Sequence, residues 1–175
     1  MRRIVFFLVT LLISASPSVA QNSSVYTSLE VKQCRTMKTD DSEADGYEGR
    51  CRGAGGYALI VSEGDLRQNV TVVTPKGAKH SLELWDVISG GFSRVGPKAE
   101  WRMATQNGKL SPVALIIRYN ASEDPAQSNK TTSYLAVAKI TASEICVTDK
   151  IPPGAKANDD ARRAADTAAG KPCLK

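Results

Sequence analysis

A single histidine, His80, stands in this chain of 175 residues. That scarcity excludes metal sites built from several histidines. Any Ser-His-Asp arrangement would have to use His80, and no G-x-S-x-G elbow accompanies it. Within "KGAKHSLEL" the residue reads as an exposed edge of a strand beside Ser81. Aromatics are also few, with three Phe, five Tyr and two Trp, so most are needed for a core. Basic charge is mild: the net charge is +5, and "GAKH" and "RR" are the nearest things to clusters. A nucleic-acid binder concentrates basic charge on one face with aromatics between, so nucleic acid is not an expected partner. Past residue 20 no apolar run approaches the roughly 20 residues of a spanning helix, and no transmembrane segment is expected there.

What is present begins with an address. Met1, Arg2 and Arg3 precede the apolar run "IVFFLVTLLI", and "SVA" places small residues where a signal peptidase reads. Residues 1–20 are therefore expected to be a signal peptide cleaved before Gln21, and 21–175 one exported domain, periplasmic or secreted. No cysteine precedes Cys34, so a lipoprotein end is not expected.

Four cysteines in an exported chain form an even set that favours disulfides over metal ligands. Three pairings are open, and the expected one is local: Cys34 with Cys51, Cys146 with Cys173. Loops of that size are stabilised by roughly 3 kcal/mol each on chain-entropy grounds. A zinc site would want C-x-x-C spacing, which neither pair has.

The segment from Gln21 to about Ser133 reads mostly as strands. "YALIVS" alternates Tyr57, Leu59 and Val61 against Ala58 and Ile60, and the β-branched "NVTVVT" follows the turn-rich "EGDLRQ". "AEWRMATQNGKLSPVALIIRYN" reads as a hairpin turning at Asn107-Gly108, with Val113, Leu115, Ile117 and Tyr119 on one face and Pro112 at the start or edge of the second arm. "SEDPAQSNKTT" is a polar loop, followed by strands in "SYLAVAKI" and "EICVTDKI".

The last element is a helix over about 156–169. Ala157, Ala161, Ala164, Ala165 and Ala168 share one face, Asn158 is the expected cap, and Asp159 and Asp160 suit the helix dipole. Asp159–Arg163 and Arg162–Asp166 are the expected i,i+4 pairs. The fold class is therefore α+β: a mainly antiparallel, curved sheet with one C-terminal alanine-rich helix packed on it.

"CRGAGGYALIVSEGDLR" holds G-x-G-x-x-A spacing at Gly53, Gly55 and Ala58. A dinucleotide turn leaves a strand and opens a helix. Here an acidic stretch precedes and a strand follows, so the glycines read as a corner taking positive φ just after the Cys34–Cys51 staple. No cofactor or metal is expected from any motif.

Two groups suit a contact surface. Asp40, Asp41, Glu43, Asp45 and Glu48 form an acidic run whose spacing does not match a calcium loop, which needs a glycine at the sixth position and a glutamate at the twelfth. Trp85, in "ELWDVISGGF", reads as partly exposed beside a flexible Gly90-Gly91, whereas Trp101, between Glu100 and Arg102, reads as core. Sequons stand at Asn22, Asn69, Asn120 and Asn129; the compact signal reads as bacterial, and only in a eukaryotic host would the loop sites Asn120 and Asn129 matter.

Taken together, "CRGAGGYALIVSEGDLR", "AEWR", "ALIIRY" and "ICVTDKI…AR" resemble small exported proteins of uncharacterised function from rhizobium-like alphaproteobacteria, over about Cys34 to Cys173. The resemblance implies export and a single domain, and no activity. The leading expectation is a non-enzymatic protein that binds a protein or a cell-envelope component through polar loops. The alternatives are a periplasmic hydrolase with a carboxylate pair assembled by the fold, marked by a raised pKa, and an inhibitor of lysozyme or another hydrolase contacting through the acidic run.

Overall fold

The computed structural model describes residues 22–37, 46–106, 108–127 and 129–175. The expected signal peptide, Asn107 and the acidic residues Asp40, Asp41, Glu43 and Asp45 lie outside the described residues. Among those described, ten strands form one sheet that is largely antiparallel and does not close. In chain order they are β1 (Ser23–Ser28), β2 (Arg35–Thr36), β3 (Tyr47–Arg52), β4 (Ala58–Gly64), β5 (Arg67–Val73), β6 (Lys79–Ser81), β7 (Phe92–Gln106), β8 (Lys109–Ser122), β9 (Thr132–Ile140) and β10 (Ile145–Ile151). A one-turn helix α1 (Leu84–Val87) precedes β7, and α2 (Ala157–Asp166) follows β10. The strand order is β10-β9-β8-β7-β5-β4-β3-β2, with β1 on β7 and β6 on β5.

The two wings meet at one parallel pair, Arg67 opposite Ser93. They also face each other, because β10 comes into contact with both β6 and α1. The sheet thus curls round a shared core in which Leu59, Val61 and Val72 of one wing meet Trp101, Leu115 and Ile117 of the other. Strand alternation sets this up: Leu115, Ile117 and Tyr119 point inward while Ala114 and Ile116 of the same strand face α2.

Helix α2 answers that outer face with Ala157, Ala161, Ala165 and the following Ala168, all buried. Alanines permit close approach to Ile116, Leu135 and Val137, so the spacing read from the sequence is the packing face. The Cys146–Cys173 disulfide, spanning 27 residues, ties the end of this helical segment to β10. Cys34–Cys51, spanning 17, joins the entry of β2 to β3.

The glycine corner connects β3 to the antiparallel β4, without the strand-to-helix order of a dinucleotide site. Gly55 and Gly56 do have positive φ, at 60° and 84°. Gly53 serves differently from expectation: a Cβ there would lie 2.8 Å from the Trp101 ring and 2.7 Å from the Tyr57 carbonyl oxygen. It lets the backbone lie against the indole, whose Nε1–H donates to Thr27 Oγ1 at 2.8 Å.

Several local expectations need correction. Pro112 lies inside β8, buried and opposite Met103 beside a register shift, where its missing N–H is tolerated. Lys156, not Asn158, occupies the cap position of α2 and makes no side-chain cap bond. The helix-surface pairs are i,i+3, Arg162–Asp159 and Arg163–Asp160, because Asp166 is drawn away to Arg102 on β7. Asn120 is a strand residue of β8, not a loop site.

Candidate functional site

The β4–β5 hairpin is closed by the pair Gly64–Arg67, which leaves Asp65 and Leu66 as a two-residue turn. Both adopt left-handed backbone, φ 49° and 57°. This hairpin shape normally recruits Asn-Gly, and an ordinary side chain there costs about 1 kcal/mol or more. Glu83, at the entry to α1, is left-handed as well, at φ 47°. Among the described residues these three are all the non-glycine positions with positive φ; two form the turn before Arg67 and the third caps the helix that carries Trp85.

Surrounding bonds impose the conformation. Ser93 N–H donates to the Leu66 carbonyl at 2.9 Å. Arg67 donates through Nε to the Gly90 carbonyl at 2.8 Å and through Nη1 to the Asp65 carboxylate. Asn69, buried, accepts from Leu84 N–H at 3.1 Å and donates to Ser81 Oγ at 2.7 Å, fixing the turn at Glu83. That burial also closes the Asn69 sequon to a glycan. At Gly91 the backbone runs close against the end of β8: a Cβ there would lie 2.1 Å from the Ser122 carbonyl oxygen.

The bonds frame an open cleft of about 560 Å³ lined by Gly64, Asp65, Arg67, Trp85, Asp86 and Gly90. Leu84 and Ile88 are buried and anchor α1, which turns Trp85 outward. Trp85 is 36% exposed, Phe92 47% and Leu66 59%. The Arg67 guanidinium lies over the Phe92 ring, 5.3 Å from its centre. Beneath, Ser93 Oγ and Tyr119 Oη share a 2.6 Å bond; burial pushes the Tyr119 hydroxyl pKa up and outweighs the opposing effect of Ser93, so it stays protonated.

Of the residues singled out in the sequence, the four cysteines are paired as expected and Trp85 lines the cleft. Glu48 sits on β3 and His80 on β6, neither lining it. Leu66, Arg67 and Phe92 escaped sequence reasoning. The usable signal was "GDLR", a tight turn whose second central residue is a large aliphatic.

Two carboxylates, Asp65 and Asp86, line the cleft, with Asp65 ion-paired to Arg67. Among the described residues the carboxylates that shift, Glu100 and Glu123, lie outside this cleft, and both move downward. At Glu100, burial works against ionisation, but hydrogen bonds from Arg162 and Ser24 and the Arg162 charge outweigh it. At Glu123, burial also works against ionisation, but bonds from Tyr134 and Ser89 outweigh it. Both shifts are opposite to those of a general acid. Glu144, Cys146 and Cys173 cluster at metal-ligand spacing, but both sulfurs are committed to the disulfide. The cleft offers an indole, an aliphatic tip and a guanidinium stacked on a ring, which is contact chemistry. No family model matches this chain, and no curated protein or solved structure matches it.

Proposed function

We propose that this chain is an exported, disulfide-stapled binding protein of the periplasm or cell exterior that docks another protein through the tip formed by Leu66, Arg67, Trp85 and Phe92. The observation that carries the proposal is the coincidence of strain with exposure. Two of the three left-handed non-glycine residues among those described, Asp65 and Leu66, form the turn that exposes Leu66, and the third, Glu83, caps the helix that presents Trp85. Backbone strain persists where surrounding structure over-determines it, and it gathers at clamps and contact sites. Trp and Arg are the residue types most enriched at binding hot spots. The paired cysteines suit an oxidising compartment, and no helix among the described residues is long and apolar enough to cross a membrane.

The test is affinity capture from envelope fractions of the native host with immobilised mature protein. A defined partner retained by wild type and by Leu110→Ser, and lost by Trp85→Ala and Phe92→Ser, supports the docking tip. Leu110 is a fitting control because it is 51% exposed at the far β7–β8 hairpin. Capture that survives both tip substitutions refutes it.

A further inference from the structure

A second cleft opens on the other side of the sheet, where β1, β7, β8, β9 and α2 meet. Its volume is about 140 Å³, close to the roughly 150 Å³ of an engineered cavity that holds benzene. Its floor is apolar: Ile116, Leu135 and Ala161 are buried residues of the α2–sheet interface. Its walls are polar: Tyr26, Lys98, Glu100, Arg118 and Asn158.

The charges are unevenly matched. Glu100, with a side chain only 11% exposed, is occupied by Arg162 at 2.7 Å and by Ser24 Oγ at 2.6 Å. Arg102, its side chain 6% exposed, is held by both Asp166 oxygens at 3.0 Å and by Ser24 and the Asn22 carbonyl. Every carboxylate beside the cleft thus has a cation. The converse fails. Among the described residues Arg118 meets neutral acceptors, Ser133 Oγ at 2.8 Å and Asn158 Oδ1 at 3.3 Å, which orient the guanidinium without neutralising it. No ion pair involves Lys98 among the described residues.

We infer that this cleft binds a small organic carboxylate, its compact apolar body on Ile116, Leu135 and Ala161 and its carboxylate between Lys98 and Arg118. An anion there completes the local charge balance, and a planar guanidinium held by neutral partners is prepared for carboxylate recognition. The buried ionic groups Glu100 and Arg102 are paired, whereas Lys98 is exposed and Arg118 half-buried, and neither has a carboxylate partner among the described residues. The inference is independent of the docking tip, which lies on other residues.

Benzoate and its neutral isostere benzamide are the probes, added to isotopically labelled mature protein and followed by NMR at the Ile116 and Leu135 methyl groups. Benzoate is expected to shift these methyls saturably and to leave Ile60, on the far wing, unmoved. Benzamide should bind about tenfold more weakly or worse, and Lys98→Ala and Arg118→Gln should each weaken benzoate by about tenfold, the scale of one charge-assisted hydrogen bond. Trp85→Ala should leave benzoate binding unchanged. No methyl shift at millimolar benzoate, or equal response to benzoate and benzamide in the wild-type protein, overturns the inference without reliance on any variant folding.

Discussion

The Arg67 guanidinium spans the base of the exposed tip, 5.3 Å from the centre of the Phe92 ring and hydrogen-bonded through Nε to the Gly90 carbonyl. It joins the β4–β5 turn to the start of β7, the only place where the wings pair among the described residues. The side chain that presents the tip therefore also braces the seam between the wings.

Relieving the turn should separate stability from binding. Leu66→Gly removes the left-handed penalty of about 1–2 kcal/mol and adds the unfolded-state entropy of glycine, about 0.5–1 kcal/mol. A net gain of about 0.5–1 kcal/mol in urea unfolding is predicted, together with weaker partner capture. Loss of stability would show that Leu66 is not strained.

Asp166→Ala should strand a buried cation. Arg102 loses its bidentate partner, and Asn22, just before β1, loses its bond from Nδ2 to Asp166. Because Asp166 is itself 36% exposed, the predicted loss is about 2 kcal/mol, between surface and buried pairs. Arg163→Ala, which breaks an exposed pair, should change stability by less than about 0.5 kcal/mol. Urea titration of the two variants distinguishes them.

Acid should reveal Glu100. Its folded pKa lies below the ordinary 4.5, so its contribution is full above that value and is lost as pH falls through the depressed one. Wild-type stability should decline with falling pH below 4.5, and Glu100→Gln should flatten that slope while lowering stability at neutral pH. An identical slope in the variant would assign the acid sensitivity to other groups.

Replacing both Cys146 and Cys173 with serine should cost about 3 kcal/mol. Because the bridge ties the segment after α2 to β10, hydrogen exchange should accelerate first in α2. Uniform acceleration would mean the helix is held by its alanine face alone.

Local patterns told most about what lay close in sequence. The alanine period on α2, the alternation on β8 and the nearby cysteine pairs each describe contacts that the chain makes with its own neighbourhood. The sequence was silent where partners are distant. Asp166 reads as a helix-surface partner of Arg162, yet a buried guanidinium 64 residues away claims it. Pro112 reads as a strand boundary because the bulge that accommodates it depends on the register with β7. Within the candidate site Trp85 was visible as an indole beside two glycines. Leu66 was not, since its left-handed backbone opposes its own propensity and is imposed by Ser93 and Gly90 from another strand and its approach. The acidic run, the other expected contact surface, lies outside the described residues.

The most direct test of the docking tip is site-specific photo-crosslinking in the native host. A photoreactive residue is placed singly at Leu66, at Phe92 and, as control, at Leu110, all three exposed. The docking tip predicts one discrete protein adduct, shared by positions 66 and 92 and missing from 110. Adducts equal at all three positions, or none at 66 and 92, would contradict it.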